Sequence, residues 1–207
     1  MVSDRYEMVT EQLERIYDAA VERRANTPLE PWKVPERAAF LELLVREKRQ
    51  SLLEVGAGTG LHGRFFADAG FDVVCADLSA AMVEHCRAQG LVAFQQDFLH
   101  LDLGRRFDAV FAMNCLLHVP HEDLPAALAA IRATLLPGGL FYLGQYGGIV
   151  QDGVFADDTY EPKRFFSFLE DDDLLAVVGD QFTIESFRAV DISSDDGDHF
   201  QSLVLRA

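Results

Sequence analysis

A doubly wound α/β sheet is the fold class this sequence predicts, and three observations predict it. Between residues 51 and 146, short apolar runs alternate with segments of helical period, which implies parallel strands joined by right-handed crossovers. The first run, Leu52-Leu53-Glu54-Val55, leads into Gly56-Ala57-Gly58-Thr59-Gly60 and then a helical stretch. That strand–turn–helix context is the one in which a glycine-rich loop carries meaning. Near the end, strand-like runs over 182–190 and 199–205 have no helix between them, so they should pair antiparallel.

Composition narrows the function classes. The 207 residues suffice for one domain with additions, and 49% hydrophobic with 25% charged residues fits an ordinary globular protein. A net charge of −16 argues against nucleic acid and against an anionic membrane surface, both of which need a basic face. No run is apolar for long enough to span a bilayer, and the charges within residues 1–10 leave no leader to expect. Cys75, Cys86 and Cys115 are odd in number and lack a C-x-x-C spacing, so buried free thiols in a reducing cytoplasm are expected.

In chain order, residues 3–24 place Val9, Leu13, Ile16, Tyr17, Ala20 and Val21 on one helical face. Asn26-Thr27-Pro28 ends that helix, and a connection over 29–34 holds the single tryptophan, Trp32. Pro35 suits the first turn of a second helix to about residue 48, with Phe40, Leu41, Leu44 and Val45 inward. Residues 1–50 thus form a helical addition, either plain packing or a lid, in front of a domain over 51–207. Strands follow at 51–55, 71–76, 91–95, 107–113 and 140–146, with helices at 61–69, 79–87 and 122–135 between them. Ser79 is the N-cap of the second of these helices, and Pro137-Gly138-Gly139 is the turn into the fifth strand. Residues 147–168 show no clear period, and a helix over 170–178 opens with three aspartates at its positive end. Asp195, Asp196 and Asp198 read as an acidic hairpin tip; no metal is expected.

In such sheets ligands lie at the carboxyl ends of the strands. Asp77 ends the second strand, where a carboxylate can accept from both hydroxyls of a ribose. Asp97 ends the third, where it can accept from the exocyclic amine of a base, with Phe98 beside it to cover the ring. The glycines let the rest of a nucleoside ligand lie against the backbone.

These residues closely resemble the class I S-adenosylmethionine-dependent methyltransferases. The residues from Leu53 to Gly60 look like the family's first motif, Val74 to Ser79 its second, Gln96-Asp97-Phe98 its third and Phe107 to Val110 its fourth. Leu136-Pro137-Gly138-Gly139-Leu140 matches the turn before the fifth strand. The resemblance implies a Rossmann-like sheet of seven strands in the order 3-2-1-4-5-7-6, with the last antiparallel. It implies S-adenosylmethionine as cofactor, held by Glu54, Gly56, Ala57, Gly58, Gly60, Asp77, Leu78, Met82, Asp97, Phe98 and Asn114. Met82, at helical spacing from Cys86, fits core packing as well as an adenine contact, and Asp108 leads into a strand and reads as structural.

The acceptor class follows from what is missing. Asn114-Cys115-Leu116-Leu117 stands where enzymes that methylate nucleic-acid amines carry Asn/Asp-Pro-Pro-aromatic, so a small molecule is the expected acceptor. His118, just past the fourth strand, is the candidate general base, with a pocket wall as its other reading. Tyr17, Trp32, Tyr146 and Phe166, within the Phe165–Phe168 group, are candidates to line the acceptor, alongside His118. A noncatalytic S-adenosylmethionine-binding protein would use the same cofactor residues. A nicotinamide-dependent oxidoreductase would show Gly-x-Gly-x-x-Gly, whereas Leu61 follows Gly60 here.

Overall fold

The computed structural model describes residues 3–192 and 197–207. Three helices, α1 (Asp4–Asp18), α2 (Val21–Ala25) and α3 (Lys33–Arg46), precede the first strand, β1 (Ser51–Val55). Then come α4 (Leu61–Asp68), β2 (Asp72–Asp77), α5 (Ala80–Ala88), β3 (Val92–Gln95), β4 (Phe107–Met113) and a 3-10 turn at Leu116–His118. The chain continues through α6 (Leu124–Ala133), β5 (Leu135–Gly147), β6 (Gln151–Val154), β7 (Phe165–Phe168), α7 (Asp171–Gly179), β8 (Thr183–Val190) and β9 (His199–Arg206).

Seven strands form one sheet in the order β3-β2-β1-β4-β5-β9-β8, and β6 pairs with β7 in a separate antiparallel pair. The first five strands are parallel, and β9 runs antiparallel to both of its neighbours. With the β6–β7 pair set aside, this is the expected 3-2-1-4-5-7-6 order. Strand order reverses between β1 and β4, so the carboxyl ends of β1, β2 and β4 gather at one edge.

Both faces of the central strands are covered, which explains why their sequences are continuous apolar runs. Leu53 and Val55 of β1 pack with Val110 and Ala112 of β4 and with Leu128 and Ile131 of α6. Leu52 points the other way, with Phe111, against Phe40 and Leu44 of α3 and Phe66 of α4. On that face Phe111 stacks on Tyr142 with ring centres 4.8 Å apart. Among the described residues no helix is long and apolar enough to cross a membrane.

Several expectations need correction. The single helix over 3–24 breaks after Asp18, whose carboxylate leaves the helix to accept from the Ser79 hydroxyl and the Ala81 amide. Val45, expected inward, is 61% exposed, because Phe40 and Leu44 fill the inner stripe of α3. The helix over 122–135 stops at Ala133, since Leu135 pairs with Phe107 at the start of β5. Pro137-Gly138-Gly139 is therefore an irregularity inside a long strand, where the register shifts before Leu140 pairs with Ala109. The stretch 147–168 hides β6 and β7. All four residues of β7 are buried, so it has no alternation to reveal it. Asp195 and Asp196 lie outside the described residues.

Candidate active site

The turn after β1 divides its glycines between two tasks. A side chain at Gly56 would collide with Cys115 Cβ at 2.3 Å, and one at Gly60 with Leu91 at 2.7 Å and Cys86 Sγ at 2.9 Å. These two glycines let the turn pack onto the protein itself. At Gly58, with φ +54°, nothing lies within 4 Å of where a Cβ would stand. Its open face is the one against which a ligand can lie. Ala57, between them, is buried.

Asp77, at the end of β2, bridges this turn and the next. Its Oδ2 accepts the Gly58 amide at 2.7 Å and its Oδ1 the Ser79 amide at 2.9 Å. A carboxylate offers about four acceptor directions, so one remains on each oxygen, which suits a pair of vicinal hydroxyls. Burial pushes its pKa up, against the pull of the two amides. Asp97 is more heavily engaged: Oδ1 accepts from the Leu99 amide at 2.8 Å and from Tyr6 Oη at 3.1 Å, and Oδ2 meets His100 Nδ1 at 2.8 Å. About one direction is left for a single outside donor. Phe98 stands 3.5 Å from the position of a Cβ at Gly56. Met82 is 1% exposed, inside the core, and Leu78 packs beside Val9, Leu13 and Phe165.

Glu54 lies under α4, with the Cys75 thiol 3.6 Å from Oε2. Burial raises its pKa to about 8. Asn114 holds a left-handed backbone (φ +54°), and its side chain lies against the Tyr146 hydroxyl. Asn114 Oδ1 is buried without a partner.

The structure sorts the aromatic candidates into two groups. Tyr17 Oη lies 2.8 Å from His118 Nε2, and His118 packs against Phe166 with ring centres 4.7 Å apart. Trp32 packs edge-on to Tyr146 at 5.9 Å and tilted on Phe200 at 4.4 Å. His118 Nδ1 is 2.7 Å from the Phe165 carbonyl, which can only accept, so Nδ1 carries the proton and Nε2 accepts from Tyr17. Tyr17 in turn accepts from Arg164 Nη1 at 2.9 Å, and Asp158 grips Arg164 at 2.9 Å and 2.6 Å. The proton direction is consistent from Arg164 to Phe165. Burial lowers the His118 pKa to about 3, so its imidazole is neutral at physiological pH.

Sequence reasoning missed the cations. Arg37 Nε and Nη1 are buried without partners, and its charge acts on both Glu54 and His62. Its visible signal is a charge in line with Phe40 and Leu44 on the inner stripe of α3. Arg164 and Asp158 lie in the stretch with no period, and nothing in that pattern marks them. Two unpaired donors on Arg37 and an unpaired acceptor on Asn114 suit the carboxylate and ammonium of an amino-acid group. With the open face at Gly58 and the free directions on Asp77, the residues fit S-adenosylmethionine. A surface cleft of about 400 Å³ between α1, α2 and residues 160–162 contains none of the predicted site residues. Among the described residues, no three His, Cys, Asp or Glu side chains gather as a metal site.

Residues 52–139, which carry the turn and both acids, match the family model for a methyltransferase domain. The glycine/sarcosine N-methyltransferase of Halorhodospira halochloris is 34% identical over 133 residues, covering 58% of this chain and 50% of that protein. The dTDP-3-amino-3,6-dideoxy-alpha-D-glucopyranose N,N-dimethyltransferase of Streptomyces fradiae is 39% identical over 110 residues, covering 50% and 43%. The chain thus spans about half the length of the curated relatives it matches. The structure of 1,6-didemethyltoxoflavin-N1-methyltransferase from Burkholderia thailandensis has the same fold, with TM-score 0.76 and 21% identity over 100% of this chain and 90% of that one. The glycine turn and the two strand-end acids thus fall within the 52–139 stretch that matches a methyltransferase domain, on a fold shared with a solved methyltransferase.

Proposed function

We propose that the protein is an enzyme that transfers the methyl group of S-adenosylmethionine to a small-molecule acceptor. The observation that carries this reading is the open face of Gly58 beside Asp77, whose oxygens each keep one acceptor direction free. S-adenosylmethionine supplies, when bound, a methyl carbon made electrophilic by its sulfonium, and transfer is an in-line displacement. The chain's own residues then have to hold, align and exclude water. Asp77 accepts the ribose hydroxyls, Asp97 the adenine amine beside Phe98, Asn114 and Glu54 the ammonium, and Arg37 donates to the carboxylate. Ala57, Leu78 and Met82 support the turn and the adenine side from behind.

Tyr17, Trp32, Tyr146 and Phe166 wall the acceptor space. His118 serves as a wall and positioning residue for the Tyr17 hydroxyl: both ring nitrogens are engaged, and its low pKa makes it a weak base. Residues 1–50 act as a cover over the domain formed by 51–207, since Tyr17, Trp32 and Arg37 all come from that segment. An amine is the favoured acceptor, because the relatives from H. halochloris and S. fradiae are named N-methyltransferases. The charge of −16 disfavours nucleic acid and anionic membranes as partners, and three buried free thiols suit a cytoplasmic setting.

The test is calorimetric titration with S-adenosylmethionine, S-adenosylhomocysteine and NAD, followed by radiolabelled methyl transfer to a panel of small amines. Binding of the first two with turnover of a small amine is expected. Binding of NAD alone, or transfer to nucleic acid in place of small amines, overturns the reading.

A further inference from the structure

The start of α3 holds a lysine in an unusual setting. Lys33 Nζ lies 5.0 Å from the Trp32 ring centre and 5.6 Å from that of Tyr146, and it pairs with Glu30 at 2.5 Å. Its side chain is only 15% exposed, and burial lowers its pKa. A lysine ordinarily keeps its ammonium in water. Here two aromatic rings and a carboxylate meet it instead.

The rings and the acid hold one another in place. Trp32 is tilted on Phe200 at 4.4 Å and edge-on to Tyr146 at 5.9 Å. Tyr146 Oη donates to both oxygens of Glu30, at 3.3 Å and 3.1 Å, so Glu30 is gripped by Tyr146 and by Lys33. Burial pushes the Tyr146 pKa up, which keeps its hydroxyl a donor. Rings within about 6 Å of a positive nitrogen attract it through their quadrupoles, and cages of this kind recognise organic ammonium ions.

The group stands at the carboxyl edge of the sheet, beside the proposed cofactor site. Tyr146 lies near the end of β5, and Asn114, directly after β4, donates its amide to the Gly144 carbonyl at 2.7 Å. A second carboxylate is close by. Asp198 comes two residues before Phe200, the strand partner of Tyr146, and its Oδ1 is buried without a partner. A chain of net charge −16 also draws cations in from solution.

Resting on the methyltransferase reading above, we propose that Trp32, Tyr146 and Glu30 form a cage for an organic ammonium group of the methyl acceptor, and that Lys33 fills this cage in the free protein. The bound acceptor takes the place of Lys33 Nζ, whose flexible four-carbon stem lets it swing out to solvent. The cage selects charge as well as size. A neutral molecule of the same shape gains neither the attraction of the rings nor that of the carboxylate.

Trp32 is the only tryptophan in the chain, so its fluorescence reads the cage directly. The probe is tetramethylammonium chloride, with sodium chloride and the neutral tert-butanol as controls. Each is titrated into the free protein and into protein loaded with S-adenosylhomocysteine, whose own binding is measured by calorimetry. A saturable change with tetramethylammonium alone is expected, with and without S-adenosylhomocysteine. Lys33→Met should tighten tetramethylammonium binding fivefold or more, and Glu30→Gln should weaken it fivefold or more. Affinity for S-adenosylhomocysteine should stay within twofold in both variants, which also shows that they fold. No saturable response, an equal response to tert-butanol, or unchanged tetramethylammonium affinity in either variant overturns the proposal. So does a response that disappears on loading with S-adenosylhomocysteine, which would give the cage to the cofactor's own ammonium. Failure of the unaltered protein to bind S-adenosylhomocysteine overturns the methyltransferase reading, while the response of the free protein still decides the cage.

Discussion

Glu54 and His118 are both buried neutral, and burial moves their pKa values in opposite directions. Glu54 rises from 4.5 to about 8. The folded state therefore keeps a proton that the unfolded chain releases, and this contribution to stability is full below pH 4.5 and lost as pH rises toward 8. Glu54→Gln should flatten that part of the stability curve, read as Tm against pH. His118 falls from 6.5 to about 3, so its contribution is full above pH 6.5 and lost as pH drops toward 3. His118→Gln should reduce acid destabilisation in that window, leaving the share due to His62, which shifts the same way. At the turn, Gly58→Ala strains a positive φ at a cost of about 1 kcal/mol, yet meets no neighbour. Its larger effect should be on S-adenosylhomocysteine affinity, because the added methyl enters the ligand's space. Asp77→Ala removes two hydrogen bonds to a charged acceptor, each worth about 1.5–3 kcal/mol, so calorimetry should show affinity falling a hundredfold or more. Asp77 and Gly58 were legible in the sequence, since a strand end and a turn are local features. The state of His118 was not, because it depends on Phe165 and Tyr17, which other elements bring in.

The pair α1–α2 is tied to two other parts of the fold. It is fastened to the β6–β7 insertion by Arg5 on Asp152 at 2.6 Å, Gln12 on the Lys163 carbonyl at 3.2 Å, and Tyr17 through Arg164. It is fastened to α5 by Asp18. Tyr17→Phe should leave His118 Nε2 and Arg164 Nη1 short of a partner, at a cost of about 1–3 kcal/mol. Hydrogen exchange over residues 3–25 should speed up, with a smaller change in S-adenosylhomocysteine affinity. The amphipathic face of α1 was plain from the spacing of Val9, Leu13 and Ile16. Its break was not, because Asp18 leaves the helix for a partner 61 residues away. The β6–β7 pair escaped for a related reason: a strand buried on both sides, such as Phe165–Phe168, carries no alternation.

For the molecule as a whole, a ligand that binds only the folded chain raises its stability by mass action. At a hundredfold excess over Kd the gain is about 2.7 kcal/mol, which for a chain of this size is a Tm rise of roughly 5–11 °C. S-adenosylhomocysteine should produce that rise and NAD none, as read by differential scanning calorimetry. By itself the sequence determined the sheet class, the glycine turn and the two acids at strand ends. Hydrophobic period, turn chemistry and motif spacing are properties of neighbouring residues. Only the tertiary structure decided that Gly58, not Gly56 or Gly60, has open space where a Cβ would stand, and that His118 spends both nitrogens on Tyr17 and Phe165. It also set Arg164 between Asp158 and Tyr17 and left two nitrogens of Arg37 buried without partners. Those outcomes turn on burial and on contacts between residues up to 147 apart, which no local pattern encodes.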